Sequence, residues 1–324
     1  MTFLRRLFRL NHQHRTRCLP PSNWVQPWWV YRWREQNKLI KADSPRSNNA
    51  ARSWTLLGNL ESPERIAVDR RGLVAARPGS WSLDWWLRVD DEWIFPSEHG
   101  AVRQRLNDGA PVVETLIRAA GGDIIHRVYA ARSDSEYLIV EVDNRATRPV
   151  ALAWAIRPYD HLGGGRVEHI ELADRTLYMD GKVGLICGRI PGQMVVGSGG
   201  VDPARSLDKT EDNPKSVVCE QGMATAALIT PLVHGATLRC VIPLGASLHH
   251  GPTSQLPTGD QVARGWGQHA VSASRFVFPA GHLNDVFDAS RQSLLLASTG
   301  EDLVPALGAP PHTASDEAAV LMAL

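Results

Sequence analysis

Short alternating runs dominate the middle of the chain. In SEYLIVEVDN, Tyr137, Ile139 and Glu141 point one way while Leu138, Val140 and Val142 point the other, the period-two pattern of a strand. After the turn NRATRP, VALAWAIRPY resumes the pattern, so the two segments read as an antiparallel pair closed by a six-residue loop. ETLIR and DIIHRVYAAR are β-branched segments separated by Gly121-Gly122. RTLYMDGKVGLICGRI reads as a second hairpin, with Asp180-Gly181 suited to a tight turn that needs positive φ. SVVCEQGMATAALITPLVHGATLRCVIPLG supplies two or three more strands, bent at Gly222 and Gly235. Many short strands, turn signals between them and almost no helical periodicity predict a mainly β fold, an antiparallel sandwich over residues 54–275.

The pattern changes on both flanks. NDVFDASRQSLLL, with Phe287 and Leu294 seven residues apart, predicts a helix from about Asp285 to Ala297. A loop follows, and SDEAAVLMAL opens another helix, with Ser315 as N-cap and Asp316 and Glu317 in the first turn, where the helix dipole favours acids. Residues 276–324 therefore read as a connecting helix and the start of a helical domain. Leu324 falls inside that last helix with no Gly, Asn or basic cap, so the expectation is a chain cut off partway through the domain. Upstream, Pro27 suits the first turn of a helix running to about Ile40, and KADSPRSNNAARS reads as a linker before a folded body that begins near Trp54.

Composition sharpens this picture in three places. Residues 1–53 hold eleven Lys/Arg against Glu35 and Asp43, leaving 24 basic and 32 acidic residues for the rest. Residues 1–53 are thus a basic arm on a mildly acidic body, which argues against a nucleic-acid-binding core. The four cysteines (Cys18, Cys187, Cys219, Cys240) form no CxxC pair and have no histidine at ligand spacing, so reduced buried thiols, no metal and a cytoplasmic location are expected. The start, MTFLRRLFRLNHQHRTRC, is broken by arginines and fails as a secretory signal; no window approaches the roughly 20 apolar residues of a membrane span.

Two stretches carry candidate chemistry. RPGSWSLDWWLRVDDEW places Trp81, Trp85, Trp86 and Trp93 around Asp84. Tryptophan offers a large apolar face on which a pyranose ring stacks, while carboxylate and guanidinium groups take the hydroxyls. The competing reading is a packed aromatic seam. If the stretch is one regular strand, the odd-numbered Trp81, Trp85 and Trp93 share a face and Trp86 lies on the other. RPYDHLGGG gives Arg157, Tyr159, Asp160 and His161 next to three glycines that let a backbone turn sharply or approach a ligand; the competing reading is a loop packed on the helical domain. No Lys-Ser/Thr follows, so it is not a phosphate loop.

SWTLLGNLESPERIAVDRRGLV, SWSLDWWLRVDDEW, VRQRL and RPYDHLGGGRVEHIEL, followed by a connecting helix and DEAAVLMAL, resemble the front end of glucoamylase-like and amylo-α-1,6-glucosidase-like glycoside hydrolases, and within them a bacterial group. The resemblance covers most of residues 53–324. It implies a large β-supersandwich of galactose-mutarotase type ahead of a six-hairpin α/α toroid that carries catalysis. It places Asp316 at the acid of a sugar-contacting Arg-Asp pair, with Ser315 where the arginine should stand.

In that family both catalytic carboxylates come from later hairpins. The chain itself is therefore expected to be non-catalytic and to need no cofactor. Its expected role is to support the toroid, with an oligo- or polysaccharide as ligand and the helical domain as partner in cis. Trp81, Asp84, Trp85, Trp86, Arg157, Tyr159, Asp160, His161 and Asp316 are the candidate carbohydrate-contacting residues. A stand-alone carbohydrate-binding module is the second reading. A third, an aldose epimerase, would need an acid–base pair drawn from His126, His161, His169 and Glu168.

Overall fold

The structure is a computed structural model and describes residues 20–31, 54–76, 81–160, 163–209, 213–244, 255–271, 279, 281–299 and 302–303. In chain order the strands are β1 (Trp54–Leu57), β2 (Ile66–Asp69), β3 (Val74–Ala75), β4 (Ser82–Val89), β5 (Glu92–Ile94), β6 (Val102–Asn107), β7 (Ala110–Ala119), β8 (Gly122–Arg132), β9 (Glu136–Asn144) and β10 (Val150–Arg157). They continue with β11 (Tyr159–Asp160), β12 (Gly163–Gly164), β13 (His169–Ala173), β14 (Thr176–Met179), β15 (Lys182–Cys187), β16 (Gln193–Gly197), β17 (Ser216–Val218), β18 (Thr225–Leu232) and β19 (Thr237–Pro243). Two helices follow, α1 (Gly259–Val271) and α2 (Gly281–Ala297).

Apart from β11 and β12, which pair with each other, these strands form two large antiparallel sheets. An eight-stranded sheet runs β1-β2-β3-β4-β10-β18-β16, with β5 also paired to β4; a nine-stranded sheet runs β17-β13-β14-β15-β19-β9-β8-β7-β6. Side-chain parity builds the core between them. Odd positions of β4 (Leu83, Trp85, Leu87) and even positions of β10 (Leu152, Trp154, Ile156) meet even positions of β9 (Leu138, Val140, Val142) and β19 (Leu238, Cys240, Ile242) in one continuous apolar layer. This is the mainly β sandwich that the alternation predicts.

Local hairpins follow their turn chemistry. Asp180 (φ 50°) and Gly181 (φ 74°) join β14 to β15 in the left-handed conformation that a two-residue turn requires. The β7–β8 hairpin turns where Gly121-Gly122 predicts.

The expected β9–β10 hairpin does not form. β9 pairs with β8 and β19 in one sheet, whereas β10 pairs with β4 and β18 in the other. Residues 145–149 arch across the sandwich instead. Asn144 holds the arch: its side-chain amide donates to the carbonyls of Arg148 (2.9 Å) and Leu232 (3.0 Å), and its Oδ1 accepts from Ala146 N. The backbone of Asn144 is bonded to Ala236 O and Gly235 N, so the parallel crossing from β18 to β19 is stitched to the same residue. Alternation shows which side chains face inward, but not which strand edges meet.

Helix α1 falls inside the span read as all-β. A capping box starts it: Thr258 Oγ1 accepts from Gln261 N (3.3 Å), and Gln261 Oε1 accepts from Thr258 N (2.8 Å). Ala263 and Trp266 of α1 and Leu296 of α2 pack on the outer face of the nine-stranded sheet, against Val112, Tyr129, Tyr137, Ile139 and Val241. Helix α2 begins four residues earlier than the predicted Asp285 and ends at the predicted Ala297. The helix expected from Ser315 lies outside the described residues.

Residues 20–31 pack against this body. A helical turn at residues 28–31 and the segment before it bury Trp24, Trp29 and Val30 against Leu73 and Tyr159. The helix predicted to reach Ile40 is described only as far as Tyr31.

Candidate functional site

β4 and β10 are neighbours with Ala155 opposite Asp84 and Ala153 opposite Trp86, which puts Asp84, Trp86 and Arg157 on one face of the eight-stranded sheet, away from the main core. There they form a closed cluster. Arg157 Nη2 donates to Asp84 Oδ2 at 2.6 Å, and Trp86 Nε1 donates to the same oxygen at 3.2 Å. The guanidinium lies over the rings of Trp86 (5.1 Å) and Tyr159 (4.9 Å). A second carboxylate, Asp202, approaches Arg157 Nη1 at 3.7 Å from the N-cap of a 3-10 turn, Pro203–Ser206.

The segment before residue 31 seals the cluster. Arg157 Nη1 donates to Val25 O (2.6 Å), Val25 N donates to Asp202 Oδ2 (2.7 Å), and Trp24 Nε1 donates to Gly200 O (2.6 Å). Arg157 is 0% exposed and Asp84 3%. Burial works against the charge on Arg157, but Tyr159, Asp202 and Asp84 outweigh it and hold its pKa above the ordinary guanidinium value. Burial pushes the Asp84 carboxyl up, while Arg157, Trp85 N–H and Trp86 N–H pull it back. Burial also carries the Tyr159 phenol well above its usual value.

The remaining candidates lie elsewhere. Trp85 occupies the opposite face of β4, inside the sandwich, fully buried and stacked on His126 with ring centroids 4.6 Å apart and 12° between planes. Asp160 is buried in the β11–β12 turn, where its Oδ1 accepts from Gly163 N at 3.2 Å. Trp81 is half-buried and lines a cavity of about 200 Å³ with Arg166, Asp180 and Lys182. His161 and Asp316 lie outside the described residues. As folded, neither Trp85 nor Trp86 presents a free ring face.

The expected face-sharing of Trp93 with Trp81 and Trp85 is corrected by register. Arg88 pairs with Trp93 and Leu87 with Ile94 across the Asp90-Asp91 turn, so an odd number on β5 sits beside an even number on β4. Trp93 therefore joins Trp86 on the outer face, with its Nε1 donating to Asp208 at 2.9 Å.

Among the described members of the epimerase reading, His126 stands apart from His169 and Glu168. His126 lies on β8 and His169 on β13, five strand spacings apart, or roughly 24 Å. His126 is buried at an inward position of β8, and desolvation pushes its pKa down to about 3. Glu168 is ion-paired with Arg166 at 2.6 Å. Among the described residues no group of three or more His, Cys, Asp and Glu side chains could hold a metal ion, and no helix is long and apolar enough to cross a membrane. Cys187, Cys219 and Cys240 are free and buried, as expected; Cys18 lies outside the described residues.

Sequence reasoning missed Asp202 and the segment around Val25. The string DPARS is a legible helix start, Asp before Pro at N1, but its approach to a residue 45 positions away is not local information.

No family model matches the chain. An orotidine 5'-phosphate decarboxylase of Bordetella petrii (strain ATCC BAA-461 / DSM 12804 / CCUG 43448) is 29% identical over 101 residues, 31% of this chain and 35% of that protein. A putative kojibiose phosphorylase from the human microbiome covers 74% of this chain and 32% of its own, at 9% identity and a TM-score of 0.31, too low to carry an argument. A bacterial glucoamylase solved in complex with acarbose covers 81% of this chain at 10% identity with a TM-score of 0.52, and the chain spans 43% of that protein's length. What is shared with that glucoamylase, at this level of identity, is a fold alone.

Proposed function

We propose that this chain is the non-catalytic β-sandwich part of a glycoside-hydrolase-like, carbohydrate-processing protein and that it supports a helical catalytic domain. One observation carries the reading: four-fifths of the chain follows the fold of a bacterial glucoamylase while spanning less than half of it. The nine-stranded sheet supports it further, because its outer face already receives α1 and α2. That face also carries a cross-strand ladder of ion pairs: Arg105 and Arg127 to Glu114, and Arg239 to Glu141. Such a partly buried ladder beside an apolar strip suits a broad contact with helices.

Purified chain incubated with maltose, maltotriose and soluble starch tests the reading through glucose release. No release above the blank is expected. Release that co-elutes with the chain through two purification steps would put catalysis in the sandwich and overturn the supporting role.

Glycan contact is the second reading, and the half-buried Trp81 beside Arg166 and Lys182 favours it. Retention on an α-glucan matrix that Trp81→Ala abolishes without lowering the melting temperature is its expected outcome. Equal retention of the two proteins would remove it.

A further inference from the structure

The edge strands of the two sheets, β1 and β6, both line an open cavity of about 550 Å³. Arg70 and Arg71 line it from the β2–β3 turn, Gln104 from β6 and Thr55 from β1, with Arg105 at the β6 rim, while Trp28 closes one side from the N-terminal helical turn. Arg70 lies over the Trp28 ring at 5.9 Å. No carboxylate is among the described lining side chains.

Among the described residues positive charge at this place is in surplus. Glu114, the carboxylate beside Arg105, is shared with Arg127, both at 2.7–2.8 Å. Arg71 Nη1 reaches only the Val102 carbonyl, at 3.3 Å, and its Nε is buried with no hydrogen-bond partner among the described residues. Asp69 stands behind the turn, its Oδ1 accepting from Arg71 N and Leu73 N. Burial pushes the Asp69 carboxyl up to about 7, so near neutral pH it cancels only part of the charge.

We infer that this cavity binds a small phosphorylated saccharide, the phosphate held by Arg70 and Arg71 with Arg105 at the margin, and the sugar ring laid on Trp28. Guanidinium groups present planar pairs of donors that match phosphate oxygens. A cavity of this size exceeds what bare phosphate needs and suits a small organic ligand. The half-buried indole supplies an apolar face for the ring. A long polyanion fits poorly, because residues 54–324 carry 24 basic against 32 acidic side chains and repel it beyond the cavity. The site stands independently of the supporting role proposed above.

Isothermal titration of the full chain with glucose 6-phosphate, inorganic phosphate and glucose tests the site. Glucose 6-phosphate is expected to bind more tightly than inorganic phosphate, glucose not measurably, and raised salt should weaken the ester. Arg70 is exposed, so Arg70→Glu keeps the fold and is expected to weaken the ester about tenfold or more. Trp28→Ala should bring the ester down to the affinity of inorganic phosphate. No binding of glucose 6-phosphate, or an affinity unchanged by Arg70→Glu, would overturn the site. Equal affinity for ester and inorganic phosphate in the unaltered chain would overturn the saccharide assignment.

Discussion

Replacing Arg157 with methionine removes the guanidinium that Asp84 and Asp202 share, at 2.6 and 3.7 Å. The side chain is 0% exposed, so no water takes its place, and two carboxylates at 3% and 1% exposure lose their counter-charge. Breaking a buried ion pair from one side costs about 3–5 kcal/mol, because the remaining charge stays desolvated. With a melting shift of about 2–4 °C per kcal/mol for a body of this size, the variant should melt roughly 6–20 °C lower. Arg148, paired with Asp90 at 2.6 Å but 59% exposed, is the control. Arg148→Met should lose no more than about 1 kcal/mol, or roughly 4 °C at most.

Thermal unfolding followed by circular dichroism at several pH values separates charge from packing. Burial raises the Asp84 carboxyl above its unfolded value of 3.8, and Arg157 restrains that rise. Without Arg157 the folded carboxyl binds its proton more tightly still. A group whose folded-state pKa lies above its unfolded one adds stability when protonated and loses it as pH rises through the window between them. The Arg157→Met penalty should therefore be larger at pH 8 than at pH 5. Asp84→Asn in the Arg157→Met background should recover part of the loss, a coupling of at least about 1 kcal/mol. A single variant that melts with Arg148→Met at every pH would refute the buried network.

The packing fixes the outcome of five further substitutions. His126, held neutral with its pKa near 3 against 6.5 unfolded, lends stability above pH 6.5 that drains away as pH falls; Asp69, raised to about 7 from 3.8, works in the reverse direction. His126→Gln should flatten the loss of melting temperature between pH 7 and pH 4, and Asp69→Asn should raise the melting temperature at pH 8 more than at pH 4. Gly72 has φ 89° and a Cβ there would sit 2.6 Å from Trp85 Nε1 and 2.9 Å from His126 Nδ1, so Gly72→Ala should cost more than about 2 kcal/mol by urea unfolding. Gly181→Ala, at similar φ but in open space, should cost about 1 kcal/mol. Trp24→Ala should lower stability by about 3–5 kcal/mol, since the ring is 4% exposed and its N–H is bonded to Gly200 O; no change would mean that the segment before residue 31 adds nothing to the body.

The parts of the fold that could be read from the chain are those set within a few residues. Tyr137, Ile139 and Leu138, Val140, Val142 took opposite faces of β9 because a strand alternates whatever its neighbours. Asp180-Gly181 turned because few other pairs tolerate positive φ twice. Helix α1 was legible too, in the Thr258-x-x-Gln261 capping box and the apolar trio Val262, Ala263 and Trp266, but its two glycines, Gly265 and Gly267, dilute the helical signal. Pairing between distant edges was not legible. The choice between a β9–β10 hairpin and an arch depends on Asn144 reaching Leu232, 88 residues away.

The candidate site shows the same limit in chemical form. Asp84, Trp86, Arg157 and Tyr159 are the residue types that hold a sugar, and the structure does bring them together on one sheet face. They are equally the types needed to bury an arginine: a carboxylate to neutralise it, aromatic faces to cover it and indole N–H groups to satisfy the carboxylate. Composition cannot separate the two uses. The deciding groups are the Val25 carbonyl and N–H, which meet Arg157 and Asp202 much as a hydroxyl that accepts and donates would. Because the chain's own backbone supplies those contacts, the cluster is part of the folded body. Arg70 and Arg71 stand inside the stretch SWTLLGNLESPERIAVDRRGLV, yet nothing local to it shows that they face Trp28 and Gln104, because that juxtaposition arises only where the edges of two sheets meet.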